Sequence, residues 1–232
     1  MTENLAERLA KVKEQIARAA RKAGRSADEI TLIAVSKTHP AEVLRAAIAA
    51  GASVLGENKV QEAEGKIAEI GRESGARWHL IGHLQSNKAR KAVRLFDAIH
   101  TLDSIELAAR LERICIEEKV SALSVFVQVD LAREATKSGI DVKDLPELIE
   151  FLRGCKHLKL EGLMTLPPFF EEVEKVRPFF AELRRLRDEL FPEGGGKLSM
   201  GMSHDFAAAI EEGATHVRVG TAIFGERNYP NR

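Results

Sequence analysis

Lys37 stands at the end of an apolar run, Ile30-Thr31-Leu32-Ile33-Ala34-Val35-Ser36, and a lysine carried to the end of a buried strand loses the hydration that favours its ammonium form. Its pKa is expected to fall, and a neutral amine is what Schiff-base formation with a carbonyl requires. The ordinary alternative is a strand-end lysine in solvent; what sets Lys37 apart is a second group of residues far along the chain. Gly201 and Gly220 allow backbone to approach a ligand closely, and Ser203 and Thr221 add hydroxyl donors. Ser203 precedes the helical stretch 204–210 and reads as a helix N-cap, and an N-cap region facing a pocket is an anion site. The plain alternatives are a simple cap at Ser203 and a simple turn at Gly220. An amine opposite a phosphate cradle suits a phosphorylated aldehyde. Two ligands meet that description, pyridoxal 5′-phosphate and the sugar-phosphate substrate of a class I aldolase. Arg218 offers N–H donors to a pyridine nitrogen, which an aldolase substrate lacks, and this favours the cofactor. An aldolase would want an acid–base partner near the lysine, for which Asp103 and Asp130 are the candidates.

These residues act together only if the fold brings positions 37, 201–203 and 218–221 to one place. Leu5, Leu9, Val12, Ile16 and Ala20 form one apolar stripe, so residues 4–23 are expected to be an amphipathic helix stopped at Gly24. Short apolar runs then alternate with helical patterns. Strands are expected at 30–36, 53–55, 77–81, 98–102, 123–130, 157–165, 197–200 and 215–219. Helices are expected between them at 40–50, 58–70, 86–95, 104–119, 144–153, 170–190 and 204–212. Helical crossovers demand parallel pairing, and eight such units in this length are the arithmetic of a (β/α)8 TIM barrel, with a doubly wound open sheet as the alternative. The α/β chain is expected to be one domain over 1–232, with the extra N-terminal helix in 1–24 covering an end of a barrel at 30–225. In such barrels the site lies at the carboxyl ends of the strands, where all the residues named above would fall.

Composition narrows the classes. The 232 residues carry 35 Lys plus Arg against 35 Asp plus Glu, so there is no basic surplus to neutralise phosphates and no nucleic-acid partner is expected. The N-terminal stretch lacks an apolar signal core, and no run of 18 apolar residues occurs. Neither membrane association nor export is expected, and a cytoplasmic protein is. Cys115 and Cys155 are read as core thiols rather than a bridge.

Six segments in order carry a resemblance: Ala34-Val35-Ser36-Lys37-Thr38; Gly56-Glu57-Asn58 with Gln61-Glu62; the run from Trp78 to Lys88; Gly162-Leu163-Met164-Thr165; the run from Leu198 to Ser203; and the run from Val217 to Gly225. Over essentially its full length the chain resembles the YggS/PROSC family of pyridoxal phosphate homeostasis proteins, which look like the amino-terminal barrel of alanine racemase standing alone, the type III fold. The resemblance implies that Lys37 forms the internal aldimine, that Ser203 and the Gly220-Thr221 turn hold the phosphate, that Arg218 lies near the pyridine nitrogen and Asn58 close to the ring, and that Met200 and His83 line the ring pocket. An arginine beside the ring nitrogen disfavours a second positive charge there and weakens the electron sink, which fits a carrier better than a transaminase. His204 departs from the family pattern and reads as a solvated loop residue, while Lys137 is either a surface charge or a way-station for cofactor in transfer.

The function implied is pyridoxal phosphate homeostasis: binding and buffering the cofactor, and supplying apo-enzymes, by a monomer that also admits a dimer. Catalysis is the contrasting reading. Two-base racemisation needs a second acid–base group opposite Lys37. In alanine racemases a tyrosine of a separate β domain serves, for which this chain has no length; Tyr229 is the one tyrosine here, and His83 or a water is the second base for a slow residual activity. The six segments also argue against an aldolase and a pure scaffold.

Overall fold

The computed structural model describes residues 4–132 and 138–226. The first element, α1 (Leu5–Lys22), is started by a reciprocal cap in which Asn4 Oδ1 accepts from the Glu7 N–H at 3.0 Å and Glu7 accepts from the Asn4 N–H at 2.9 Å. Its predicted stripe is real: Leu9, Val12, Ile16 and Ala20 are buried.

Strand and helix then alternate as β1 (Thr31–Val35), α2 (Ala41–Ala49), β2 (Val54–Glu57), α3 (Val60–Ile70), β3 (Arg77–Leu80), α4 (Ala89–Leu95), β4 (Ala98–Leu102), α5 (Ile105–Glu118), β5 (Leu123–Gln128) and α6 (Leu145–Gly154). They continue as β6 (Leu158–Met164), α7 (Arg177–Leu190), β7 (Lys197–Met202), α8 (Phe206–Glu211), β8 (His216–Val219) and α9 (Thr221–Phe224). Among the described residues the eight strands pair in parallel, each with its neighbour in sequence, and β8 closes on β1 through Thr31↔His216 to Ala34↔Val219. This is the expected (β/α)8 barrel. Its strands are buried on both faces, which is why they read as short apolar runs rather than as alternating ones.

The N-terminal helix lies mainly along the outside of the barrel, with Lys13 and Ile16 reaching a cleft at the strand starts. It packs against α8, α9 and α2 on the outside, with Arg8 Nε donating to the Ile223 carbonyl at 2.7 Å and Arg25 to the Ala214 carbonyl at 2.7 Å. The helix after β8 has only four residues, too short for the outer ring, and α1 fills the place it leaves between the last and first helices.

Several boundaries differ from the periodicity, three of them in the elements that follow β6. The helix predicted from 170 begins at Arg177, because Pro178 inside it would lack an N–H for the turn before and clash with the carbonyl four residues earlier, and is accommodated in a first turn instead. Strand β7 runs to Met202 rather than stopping at Met200, through Gly201 at φ 90° and a shift of register against β8 between Ser199 and Met202. The helix predicted from 204 begins at Phe206 with Asp205 in the cap position, so Ser203 is not its N-cap.

The interior of the barrel has two characters. Ile33, Val54 and Ile81 form a small cluster separate from the core under the helices, and Gly56 keeps it closed, since a Cβ there would meet Ile33 at 2.7 Å. The rest is filled by His79, His100, His216, Phe126, Ser199 and Arg218, all buried. Cys115 is buried and Cys155 half-buried, both as unpaired thiols, and burial pushes the Cys115 thiol up to about 11. Among the described residues no helix is long and apolar enough to cross a membrane. Lys137 and Tyr229 lie outside the described residues.

Candidate functional site

At the carboxyl ends of β1, β2, β7 and β8 lies a cavity of about 320 Å³, lined by Lys37, Asn58, Ser203, Arg218, Gly220 and Thr221 and walled by apolar side chains that include Val35, Ile81 and Met202. Six of the eight residues expected in a site are thus brought together from distant parts of the chain. Lys37, half-buried, is the second residue beyond β1. Asn58 follows β2 directly, and the loop after β3 crosses close to it at Gly82, where a Cβ would come within 2.3 Å of the Asn58 carbonyl oxygen. Only glycine lets that loop pass.

Ser203 and Gly220 tie the loops after β7 and β8 to each other, the Gly220 N–H donating to Ser203 Oγ at 3.1 Å. Ser203 therefore contributes through this bridge rather than as a cap. Beyond Gly220 comes the single turn of α9, in which the Ile223 and Phe224 N–H groups both return to the Gly220 carbonyl at 2.9 Å, so that Thr221 and Ala222 supply the amides at its open start. Hydroxyls at Ser203 and Thr221 together with those amides form a donor set suited to a phosphate.

Arg218 is buried and fixed from behind: one guanidinium nitrogen donates to Ser199 Oγ at 2.7 Å and another to the Thr165 carbonyl at 2.9 Å. Burial lowers its pKa to about 10, with Asp205 opposing, and the group stays cationic at neutral pH. Ser199 Oγ lies 2.9 Å from His100 Nδ1, and His100 Nε2 lies 3.0 Å from His79 Nδ1. Arginine only donates, so Ser199 must accept from it and is free to pass its own proton to His100. Burial holds His79 and His216 down to about 3 and His100 well below its ordinary value, the neighbouring charges of Arg77 and His79 adding to the effect. The floor under the site is accordingly a neutral hydrogen-bonded stack.

Two expected residues are elsewhere. Met200 is fully buried in the core beneath the helices; the irregularity at Gly201 turns the next methionine, Met202, into the cavity in its place. His83 is exposed on the loop after β3, with Nδ1 3.8 Å from Asp103 Oδ2, and does not line the cavity. Neither Asp103 nor Asp130 lines it either, which removes the acid–base partner an aldolase would need. His204 is exposed, as expected of a loop residue, yet it lines the rim, where its ring lies 5.4 Å from that of Phe169 and its Nε2 3.1 Å from the Glu171 carbonyl oxygen.

The histidine floor was not foreseen. Its signal is nonetheless local: in Trp78-His79-Leu80, Ile99-His100-Thr101 and His216-Val217-Arg218 a polar side chain recurs at inward positions of an otherwise apolar strand.

Residues 8–228 match the alanine racemase N-terminal domain family. A protein of Aquifex aeolicus named pyridoxal phosphate homeostasis protein is 43% identical over 229 residues, covering 97% of this chain and 100% of that one. The chain belongs to the pyridoxal phosphate homeostasis protein family. Among solved structures, PipY of Synechococcus elongatus, described with PLP bound, is 41% identical with a TM-score of 0.85, over 96% of this chain and 100% of PipY. An alanine racemase of Corynebacterium glutamicum, 16% identical with a TM-score of 0.65, covers 95% of this chain but only 62% of the racemase. That likeness shows the barrel fold which the homeostasis family shares.

Proposed function

We propose that the chain binds pyridoxal 5′-phosphate in this cavity with Lys37 as the point of covalent attachment, and serves pyridoxal phosphate homeostasis by holding the cofactor and supplying it to apo-enzymes. The reading is carried by one observation: an amine, a two-loop donor set and a buried arginine face a single cavity of about 320 Å³, within the range of small-cofactor sites. When bound, the cofactor supplies an aldehyde that condenses with a lysine amine, forming a C=N bond and releasing the carbonyl oxygen as water, and a phosphate that anchors the molecule.

Each residue has a part. Ser203 and Thr221 bind the phosphate through their hydroxyls and the first amides of α9, and Gly220, whose N–H holds Ser203 Oγ in place, lets the backbone pass close to it. Asn58 and the apolar wall of Val35, Ile81 and Met202 bound the ring. Arg218 presents N–H groups whose direction is set by Ser199 and Thr165, so a ring nitrogen facing it accepts and stays unprotonated, which makes a poor electron sink. That favours carriage over catalysis, and the Aquifex relative carries the name of a homeostasis protein, not of an enzyme. Among the described residues lining the cavity, the titratable side chains besides Arg218 are Lys37 and His204. His204 at the rim is therefore the group to replace when any slow racemase-type activity is examined. A carrier of this kind acts as a cytoplasmic monomer that meets its recipient enzymes transiently.

Absorbance during titration with pyridoxal 5′-phosphate tests the reading. Wild type is expected to develop a visible band that saturates with one equivalent and that Lys37→Ala lacks. An unchanged band in Lys37→Ala would remove Lys37 from the role.

A further inference from the structure

Of the motif Gly56-Glu57-Asn58 with Gln61-Glu62, only Asn58 reaches the cavity. The rest lies behind Lys37. Lys66 of α3 is buried, and its ammonium donates to three oxygens: the Ser36 carbonyl at 2.8 Å, Glu57 Oε1 at 2.7 Å and Glu62 Oε1 at 2.7 Å. All three donors of the group are thereby used. Ser36 Oγ donates to the same Glu57 oxygen at 2.6 Å, and the Thr38 backbone N–H donates to Glu62 Oε1 at 2.5 Å.

Both chain neighbours of Lys37 are therefore tied to one ion cluster on the helix side of the barrel wall, while Lys37 faces the cavity. Alternation of side chains along extended backbone gives this division, Ser36 outward and its neighbours Val35 and Lys37 toward the site. The backbone turns sharply just afterwards: Thr38 has φ 70°, a left-handed conformation that a β-branched residue adopts only when its surroundings impose it. The bond from Thr38 N–H to Glu62 is what the structure offers to impose it.

We propose that Glu57, Glu62 and Lys66 are positioning residues: they fix Ser36 and Thr38 so that the Lys37 amine is delivered into the cavity, without themselves touching the cofactor. The inference rests on Lys37 being the attachment point. A cluster that merely packs α3 against β1 and β2 would alter stability and leave attachment alone, so the two roles separate by measurement.

The full-length chain and its Glu62→Met, Lys66→Arg and Lys66→Met variants are mixed with pyridoxal 5′-phosphate, quenched with borohydride at timed intervals, and the reduced adduct on the Lys37 peptide is quantified by mass spectrometry beside the thermal midpoint. Glu62→Met keeps the length of the side chain but accepts from neither Thr38 N–H nor Lys66, and is expected to attach cofactor about tenfold more slowly, because displacements of a reacting group of the order of 1 Å cost up to about 100-fold. Lys66→Met is expected to lose more, and Lys66→Arg to recover part of it. Should Lys66→Met fail to fold, Glu62→Met decides alone. Attachment at the wild-type rate in folded Glu62→Met overturns the positioning role. Absence of adduct on Lys37 in wild type instead overturns the attachment reading, and the positioning role falls with it.

Discussion

The two ends of the barrel both carry a cleft, and the larger one is at the wrong end for chemistry. Beneath the strand starts, Lys13, Ile16, Asp28, Thr31 and Arg77 line a space of about 380 Å³, against about 320 Å³ at the strand ends. In the lower cleft Lys13 spends its ammonium on the Gly51 carbonyl at 2.9 Å, closing α1 onto the body of the barrel. In the upper cavity the polar groups come from β1, β2, β7 and β8 and their loops, and they converge. Volume does not locate a site; convergence of complementary donors and a nucleophile does. Between the ends lie the neutral histidines, which support Arg218 from below.

The sharpest way to break this contrast is at the upper end. Lys37→Ala is expected to abolish covalent attachment while leaving the fold intact, since the side chain sits at the surface of a cavity; wild-type amounts of borohydride-trapped cofactor in that variant would show that the ends had been assigned wrongly.

Acid probes the floor between the ends. His79 and His216 are held at about 3 in the folded chain against an ordinary 6.5. Between these values the unfolded chain binds protons that the folded chain refuses. Their contribution to stability is therefore fully present above about pH 6.5 and is lost progressively as pH falls toward about 3. The thermal midpoint is expected to drop steeply over that interval, and a midpoint flat from pH 7 to pH 4 would mean that the histidines are not buried as described.

A smaller effect is expected at the anion site. Ser203→Ala removes one hydroxyl donor and the acceptor of the Gly220 N–H, so affinity for pyridoxal 5′-phosphate should fall about tenfold, in line with about 1.5 kcal/mol for a hydrogen bond to a charged group; equilibrium titration by fluorescence reads it directly. The smallest effect belongs to the lower cleft. Lys13→Ala should leave cofactor affinity unchanged within about twofold and shift stability by about 0.5 kcal/mol or less. A tenfold loss of affinity in Lys13→Ala would erase the distinction between the ends.

Much of this arrangement is legible in the sequence, for identifiable reasons. The alternation of apolar runs with helical stripes specifies the barrel, because strands buried on both faces and helices buried on one leave different periods. Lys37 and the Gly220-Thr221 turn are picked out by their places just beyond strand ends, and Arg218 by its place on the last strand. Met200 was misplaced because a local irregularity at Gly201 shifts which methionine faces inward, and period alone does not reveal such a shift. His83 was misplaced because a loop side chain is directed by its partner, here Asp103, rather than by strand alternation. The cap assigned to Ser203 failed for a related reason: the strand runs two residues further than its apolar pattern, which moves the helix start to Phe206. The role of α1 depended on the shortness of α9, which only the closed structure makes meaningful.

The central claim is that the strand-end cavity holds pyridoxal 5′-phosphate on Lys37. Reduction of the cofactor-loaded chain with borohydride, followed by peptide mapping of every modified lysine, tests it most directly. A single adduct on Lys37 at one equivalent is the expected result. Stoichiometric modification of another lysine, with Lys37 unmodified, would contradict it.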